Sequence, residues 1–342
     1  MRVEAVARRD ALARTRVPAR WKARLKRGVV FALFALVLWL LARYAREVDW
    51  PAVAGVLRGY RASTLALAAA LALASHALYG CFDLIGRLQL RHGLPPARVM
   101  ATACVSYAFN LNLGALVGGV AMRYRLYTRQ GLPVDTITEV LALSMIGNWL
   151  GWLLLAGIAF TGFAPALPAG WELGRTGLRL LGALLLALAA AYVGACFFAR
   201  RRVWRWRRLS VTLPSGRVAL LQLALSGLNW MLIAGVVAVL LQQRVDYPDV
   251  LAVLLIAAVA GVITHVPAGL GVLEAVFIAL LSQRVPQAEL LAALLAYRAI
   301  YYLAPLGLAL GVYLWLEAQA RRAAALTAAK QPGSAACSAH GA

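Results

Sequence analysis

The stretch Val262 to Glu274 reads Val-Ile-Thr-His-Val-Pro-Ala-Gly-Leu-Gly-Val-Leu-Glu and lies between two apolar runs, each too short to be an ordinary membrane span. A polar Thr264-His265 pair, Pro267, Gly269 and Gly271 break what would otherwise be helix. The freed backbone groups cannot be satisfied by hydrocarbon, so they must be buried in protein or line a wet cavity. Glu274 follows inside the next apolar run, where a charge is costly and marks a candidate functional site.

Composition fixes the solvent. Of 342 residues 63% are hydrophobic and 14% charged, and the mean hydropathy is +0.75, so the chain is a membrane protein. The net charge of +22 is carried in short blocks beside apolar runs. That is the pattern of cytoplasmic loops, which argues against nucleic acid as a partner and for anionic lipid headgroups near the surface, at roughly 1 kcal/mol per Lys or Arg. Cys81, Cys104 and Cys196 fall within apolar segments and Cys337 in the tail, with no ligand-like spacing, so neither a disulfide framework nor a metal site is indicated.

Charge placement orders the spans. Residues 1–27 form a basic cytoplasmic arm, and full spans are expected at about 28–45, 63–90, 137–162, 177–199, 218–242 and 288–317, with a loop over residues 46–62. Asp83 and Arg87, four apart, are expected to pair on one helical face. The segment 99–121 is interrupted by Asn110, Asn112, Gly114, Gly118 and Gly119, with Gly118 and Gly119 expected to break the helix, and is followed by Arg123, Arg125 and Arg129. If it crossed fully, those arginines and the block from Arg200 to Arg217 would lie outside, a severe violation of the positive-inside pattern. A re-entrant hairpin removes it. The segment 250–283, broken around Pro267, reads as a second hairpin from the opposite face.

The expected fold is therefore all-α: a polytopic membrane domain over 28–317 with about six full spans and two oppositely oriented re-entrant hairpins, both termini cytoplasmic, and a disordered tail over 318–342. This has the form of an inverted-topology repeat, an arrangement that places a transport site near the bilayer midplane.

Candidate site residues follow from that layout. Glu274 and Arg298 are the most deeply placed charges of the C-terminal half, and either alone would cost at least about 2.5 kcal/mol, so they are expected to be partners, in packing or in headgroup binding. Arg123 and Arg125 offer fork donors suited to phosphate, although anchoring explains them too. Asn110 and Asn112 can satisfy freed backbone at the first hairpin tip. His265 is a proton-relay or interfacial candidate; Tyr297, Tyr301 and Tyr302 can line a headgroup path or serve as packing and interfacial aromatics, and of the three Tyr301 is the headgroup-path candidate. Asn148 and Asn229 are expected in interhelical hydrogen bonds, and Pro305 is expected to kink the last span and free carbonyls before it. No GxSxG elbow, HExxH helix or GxxxxGK[ST] loop occurs, and no soluble stretch exceeds the basic arm, so no enzyme activity and no cofactor are expected.

The segments beginning at Ser106 (SYAFNL), Val117 (VGGVAMRYRLYTRQGLP), Asn148 (NWLG), Val266 (VPAGLGVLEAVFIALL) and Leu294 (LLAYRAIYYLAP) resemble the YbhN-like bacterial inner-membrane proteins. These sit within the wider family named after the transmembrane region of lysylphosphatidylglycerol synthase, and the likeness runs from about Ala23 to Arg322. It implies an inner-membrane protein similar to a flippase for an anionic or aminoacylated phospholipid, without the separate cytoplasmic domain that performs aminoacyl transfer. The alternative is a non-transporting membrane scaffold for a lipid-synthesising or envelope-assembly enzyme; an embedded transferase using Glu274 as base is weaker.

Overall fold

The computed structural model describes residues 49–163, 174–199, 203–206, 209–264 and 266–329. The basic arm, the expected span at 28–45 and His265 lie outside the described residues, as do residues 330–342. Among the described residues, the secondary structure of the unit from Pro51 onward is helical apart from one short antiparallel ribbon, β1 (Val203–Trp206) with β2 (Leu209–Thr212), in which Val203 pairs with Thr212 and Trp206 with Leu209.

In chain order the helices are α1 (Trp50–Arg58), α2 (Ala62–Leu90), α3 (Pro96–Leu113), α4 (Met122–Arg129), α5 (Val134–Ile158), α6 (Arg175–Phe198), α7 (Gly216–Leu240), α8 (Tyr247–Thr264), α9 (Val272–Leu281), α10 (Gln287–Tyr297) and α11 (Ala304–Ala329). Among the described residues six are long and apolar enough to cross a membrane: Ala62–Leu90, Val134–Gly162, Arg175–Phe198, Gly216–Leu240, Tyr247–Thr264 and Gln287–Trp315. Five coincide with expected full spans; the sixth, α8, falls in the segment expected as the first arm of the second hairpin. Two expectations need correction. The loop over 46–62 contains helix α1, and α11 extends to Ala329, so the first part of the expected disordered tail is helical.

The helices pack where small residues let backbones approach. A Cβ at Gly151 would lie 2.3 Å from Gly227 N, so α5 and α7 touch backbone to backbone there. Polar groups close the same seam: Ser226 Oγ donates to Asn148 O at 2.5 Å and accepts from Gly151 N at 3.0 Å, and Trp230 Nε1 donates to Asn148 O at 3.1 Å. Thus it is the main-chain carbonyl of Asn148 that serves the helix contact. The Trp152 indole donates to Leu255 O at 3.0 Å, fastening α8 to α5.

The first hairpin is α3, a π-helical turn (Ala115–Ala121) and α4. Pro96 opens α3 at a position where its missing N–H is no loss. The break falls at Gly114, whose φ of 82° disfavours any residue with a Cβ. Gly118 and Gly119 do not break the chain; they let the return strand of the hairpin lie against α3. A Cβ on Gly118 would be 2.1 Å from Phe109 O, and one on Gly119 would be 2.9 Å from Asn110 Oδ1. Gln130 Nε2 then donates to Thr102 Oγ1 at 2.9 Å, so the end of α4 returns beside the first half of α3.

The second hairpin is α8, a tight turn at Pro267–Gly269, and α9. Ala268, Gly269 and Gly271 all have positive φ, of 57°, 57° and 77°. Arg284 after α9 bonds Asp249 at the start of α8 at 2.5 Å, closing the base. Tyr60, just before α2, donates to Leu240 O at the end of α7 at 2.7 Å, and Ser75 meets Asn229 midway, so α2 and α7 run antiparallel. One hairpin follows α2 and the other follows α7; they therefore enter the bundle from opposite ends.

Candidate functional site

Each hairpin is held by one buried arginine and one buried acid, and the roles are exchanged between the two. In the first, Asp83 stands on α2 and is wholly buried; Arg123 of α4 gives it Nε at 3.0 Å to Oδ2 and Nη2 at 3.1 Å to Oδ1. Tyr127 Oη adds a third bond to Oδ2 at 2.8 Å, and the guanidinium lies 5.5 Å from the Tyr79 ring centroid. The expected Asp83–Arg87 pair is therefore not formed. Arg87 Nε instead donates to Leu94 O at 2.6 Å, because a helix of this length that ends at a left-handed Arg91 places Arg87 over the following turn and leaves Asp83 facing the hairpin. Two of the Arg123 donors expected for phosphate are committed to this carboxylate. Arg125, two residues on, is exposed and lies 5.4 Å from the Tyr313 ring centroid.

In the second hairpin the acid is on the hairpin and the arginine on the last span. Arg298 Nε donates to Glu274 Oε1 at 2.5 Å and Nη2 to Oε2 at 3.0 Å. The same guanidinium reaches the turn, with Nη1 to Ala268 O at 3.0 Å and Nη2 to Gly269 O at 2.9 Å. One planar fork thus satisfies both the carboxylate and two carbonyls that the broken helix leaves free, a task for which a lysine has no geometry. Ala268 and Gly269 themselves take the left-handed conformations that turn those carbonyls toward Arg298. Glu274 and Arg298 are each 9% exposed, so each carries a charge out of water and is tolerated through the other.

The two hairpin tips meet the last span at one place. A π-helical turn, Arg298–Leu303, precedes Pro305, as expected of a proline that cannot donate to the turn before it. The carbonyl of Tyr302 accepts from Asn112 Nδ2 at 3.2 Å, and the same amide donates to Ala108 O at 2.8 Å. Asn112 therefore links the first hairpin to the kinked span. Asn110 is half-buried against Gly119.

Between the tips is a cavity of about 200 Å³ whose lining includes Tyr107, Leu111, Trp230, Ala268, Gly269 and Tyr301. Beneath it a hydrogen-bonded chain joins three full-length helices and the first hairpin: Tyr107 Oη to Tyr301 Oη at 2.9 Å, Tyr301 Oη to Ser75 Oγ at 2.7 Å, and Ser75 Oγ to Asn229 Oδ1 at 2.7 Å. Tyr301, expected on a headgroup path, is fully buried at the floor of this cavity; Tyr297 stacks on it at 5.3 Å between centroids, and Tyr302 meets it edge-on at 5.9 Å. Asn229 makes the interhelical bond expected of it. Tyr107, Ser75 and His76 escaped sequence reasoning. The signal was present as polar residues inside apolar helices, Ser75 and His76 at the middle of α2 and Tyr107 on α3, but such residues are common in membrane helices.

This geometry defines a polytopic α-helical membrane protein with two opposed hairpins around a buried polar centre. Residues 28–309 match the family model for the lysylphosphatidylglycerol synthase TM region, and the chain belongs to that family. It is 46% identical over 304 residues to the inner membrane protein YbhN of Escherichia coli, covering 89% of this chain and 95% of that one. It is also 31% identical over 298 residues to the uncharacterized protein slr0712 of Synechocystis sp., covering 85% of this chain and 92% of that one.

Proposed function

We propose that the protein is a phospholipid transporter of the bacterial inner membrane, moving an anionic or modified phospholipid between leaflets without catalysing a covalent step. In this reading both hairpins are re-entrant in the bilayer and both termini are cytoplasmic. The name of the Escherichia coli relative supports the location. The observation that carries the function is the Arg298 fork, which holds Glu274 and the carbonyls of Ala268 and Gly269 beside the cavity between the tips. Two phosphate oxygens have the charge and spacing to take over the Nη1 and Nη2 donors now given to the carbonyls of Ala268 and Gly269, while Nε stays on Glu274, so a headgroup can enter with Glu274 still paired.

The cavity is below the volume range of drug-sized ligand pockets, so it holds a headgroup and not a whole lipid. The acyl chains stay in the bilayer while the headgroup passes. Arg123 and Asp83 serve as the fixed anchor of the first hairpin, and Arg298 with Glu274 as the exchangeable clasp of the second. The test is photo-crosslinking in vesicles of phosphatidylethanolamine with a phosphatidylglycerol analogue photoreactive at its headgroup. Labelling of cavity residues such as Trp230 or Tyr302, lost in Glu274→Gln, is expected. Labelling confined to bilayer-facing residues in both proteins would contradict the reading and favour a scaffold role.

A further inference from the structure

We propose that His76 is a proton-binding site in the middle of the bundle, and that proton uptake there releases the first hairpin from the last span. His76 lies 14 residues into α2, about 21 Å along a helix about 43 Å long. Its Nδ1 is 2.9 Å from Ala72 O, and a carbonyl only accepts, so Nδ1 carries the hydrogen. In the neutral ring Nε2 is then a bare lone pair. It is buried, with no hydrogen-bond partner, in a residue only 6% exposed. A core histidine kept for packing alone would ordinarily have that second nitrogen satisfied.

The surroundings suit a transient charge. The imidazole lies 5.0 Å from the Tyr107 ring centroid and 4.8 Å from that of Tyr301, and aromatic rings attract a cation. On its own helix the titratable neighbours are Tyr79, which stacks on Tyr107 at 3.6 Å, and Asp83, two turns on and bonded to Arg123 and Tyr127. From α3 come Tyr107 and Cys104, whose thiol donates to His76 O at 3.6 Å; from the last span comes Tyr301, with Tyr297 and Tyr302 packed on it. Among the described residues no carboxylate bonds the ring to hold it permanently charged.

The neighbouring chain has one direction. Ser75 has a single hydroxyl hydrogen and gives it to Asn229 Oδ1, so Tyr301 must donate to Ser75 and Tyr107 to Tyr301. Tyr107 and Tyr301 also line the cavity, which gives a proton access. A proton passed from hydronium to the Nε2 lone pair forms an N–H bond, leaves water behind, and turns that nitrogen into a donor that lacks an acceptor. The cheapest acceptors are the oxygens of the two tyrosines; neither is within hydrogen-bond reach of Nε2, so recruiting either draws it away from the Tyr107–Tyr301 bond that ties the first hairpin to the last span. The link from this switch to transport rests on the function proposed above; the switch itself does not.

The experiment is 15N-histidine NMR on the full chain in nanodiscs of phosphatidylethanolamine and phosphatidylglycerol, with amide hydrogen exchange on the same sample from about pH 8 to about pH 5. His76→Gln assigns its signal among the four histidines. The expected result is a neutral ring protonated at Nδ1 at high pH that becomes imidazolium as pH falls. Amides of Pro96–Leu113 should then lose about tenfold of their protection, once the pH dependence of the intrinsic exchange rate is divided out. In Tyr107→Phe, which keeps the ring face but not the hydroxyl, the titration should persist and the pH-dependent change in exchange vanish. A His76 ring neutral throughout would overturn the proposal, as would titration with hairpin exchange unchanged. If His76→Gln does not fold, assignment rests on the shift of the same signal in Tyr107→Phe, and the same outcomes decide. Failure of lipid exchange with this titration intact would count against the transporter reading alone.

Discussion

Arg298 Nε lies 2.5 Å from Glu274 Oε1, across 24 residues of chain that include a helix, a turn and the start of another span. The pair joins the second hairpin to the last span, and the same arginine closes the hairpin's own turn. Removing one partner leaves a buried charge, so Glu274→Gln and Arg298→Gln should each destabilise by about 3 kcal/mol. Arg298→Lys should recover little of this, since an ammonium cannot serve a carboxylate and two carbonyls in one plane. Unfolding followed in mixed micelles by tryptophan fluorescence measures all three.

The Asp83–Arg123 pair should respond like an anchor. Asp83→Asn or Arg123→Gln alone is expected to cost about 3–5 kcal/mol, and the apolar double variant Asp83→Leu/Arg123→Met markedly less than the sum. Transport by the double variant should survive in proportion to folded protein. Additive costs in the same unfolding measurement would show that the two side chains are not coupled.

Gly118 and Gly261 form a matched contrast. A Cβ at Gly118 would sit 2.1 Å from Phe109 O, whereas a Cβ at Gly261 meets nothing within 4 Å. Gly118→Ala should therefore force the first hairpin apart and cost about 3 kcal/mol, while Gly261→Ala should stabilise α8 by about 0.5–1 kcal/mol. Thermal aggregation midpoints in detergent should move in opposite directions.

The Tyr60 hydroxyl lies outside the spans, donates to Leu240 O, and is pushed up to about 12 by burial and then by the negative charge of Glu289. An elevated folded value means that the unfolded chain ionises first. The contribution of Tyr60 is thus complete below its ordinary value near 10 and is lost as pH rises toward about 12. Tyr60→Phe should flatten the alkaline limb of stability against pH over that window; an unchanged limb would remove Tyr60 from the account.

Much of the fold could be read from where charges interrupt apolar runs. Spans and hairpin arms are set by hydrocarbon thickness and by the cost of moving arginines across it, both local properties of the sequence. The Glu274–Arg298 pairing was legible for the same reason, because few deep charges exist to choose from. The partner of Asp83 was not. A helical spacing of four suggested Arg87, but the choice between Arg87 and Arg123 depends on how α4 returns along α2, which Gly118 and Gly119 decide by their close approach to α3. Nor was the Tyr107–Tyr301–Ser75–Asn229 chain legible, since its members come from four segments and each alone is an unremarkable mid-span polar residue.

The most direct measurement is leaflet exchange of fluorescent phosphatidylglycerol, cardiolipin and phosphatidylethanolamine analogues in proteoliposomes carrying the purified chain, with Glu274→Gln alongside. Exchange of one lipid class by the native chain, lost in Glu274→Gln at equal folded protein, is the predicted result. Exchange no faster than in empty vesicles, with the native fold verified, would contradict autonomous transport of those lipids.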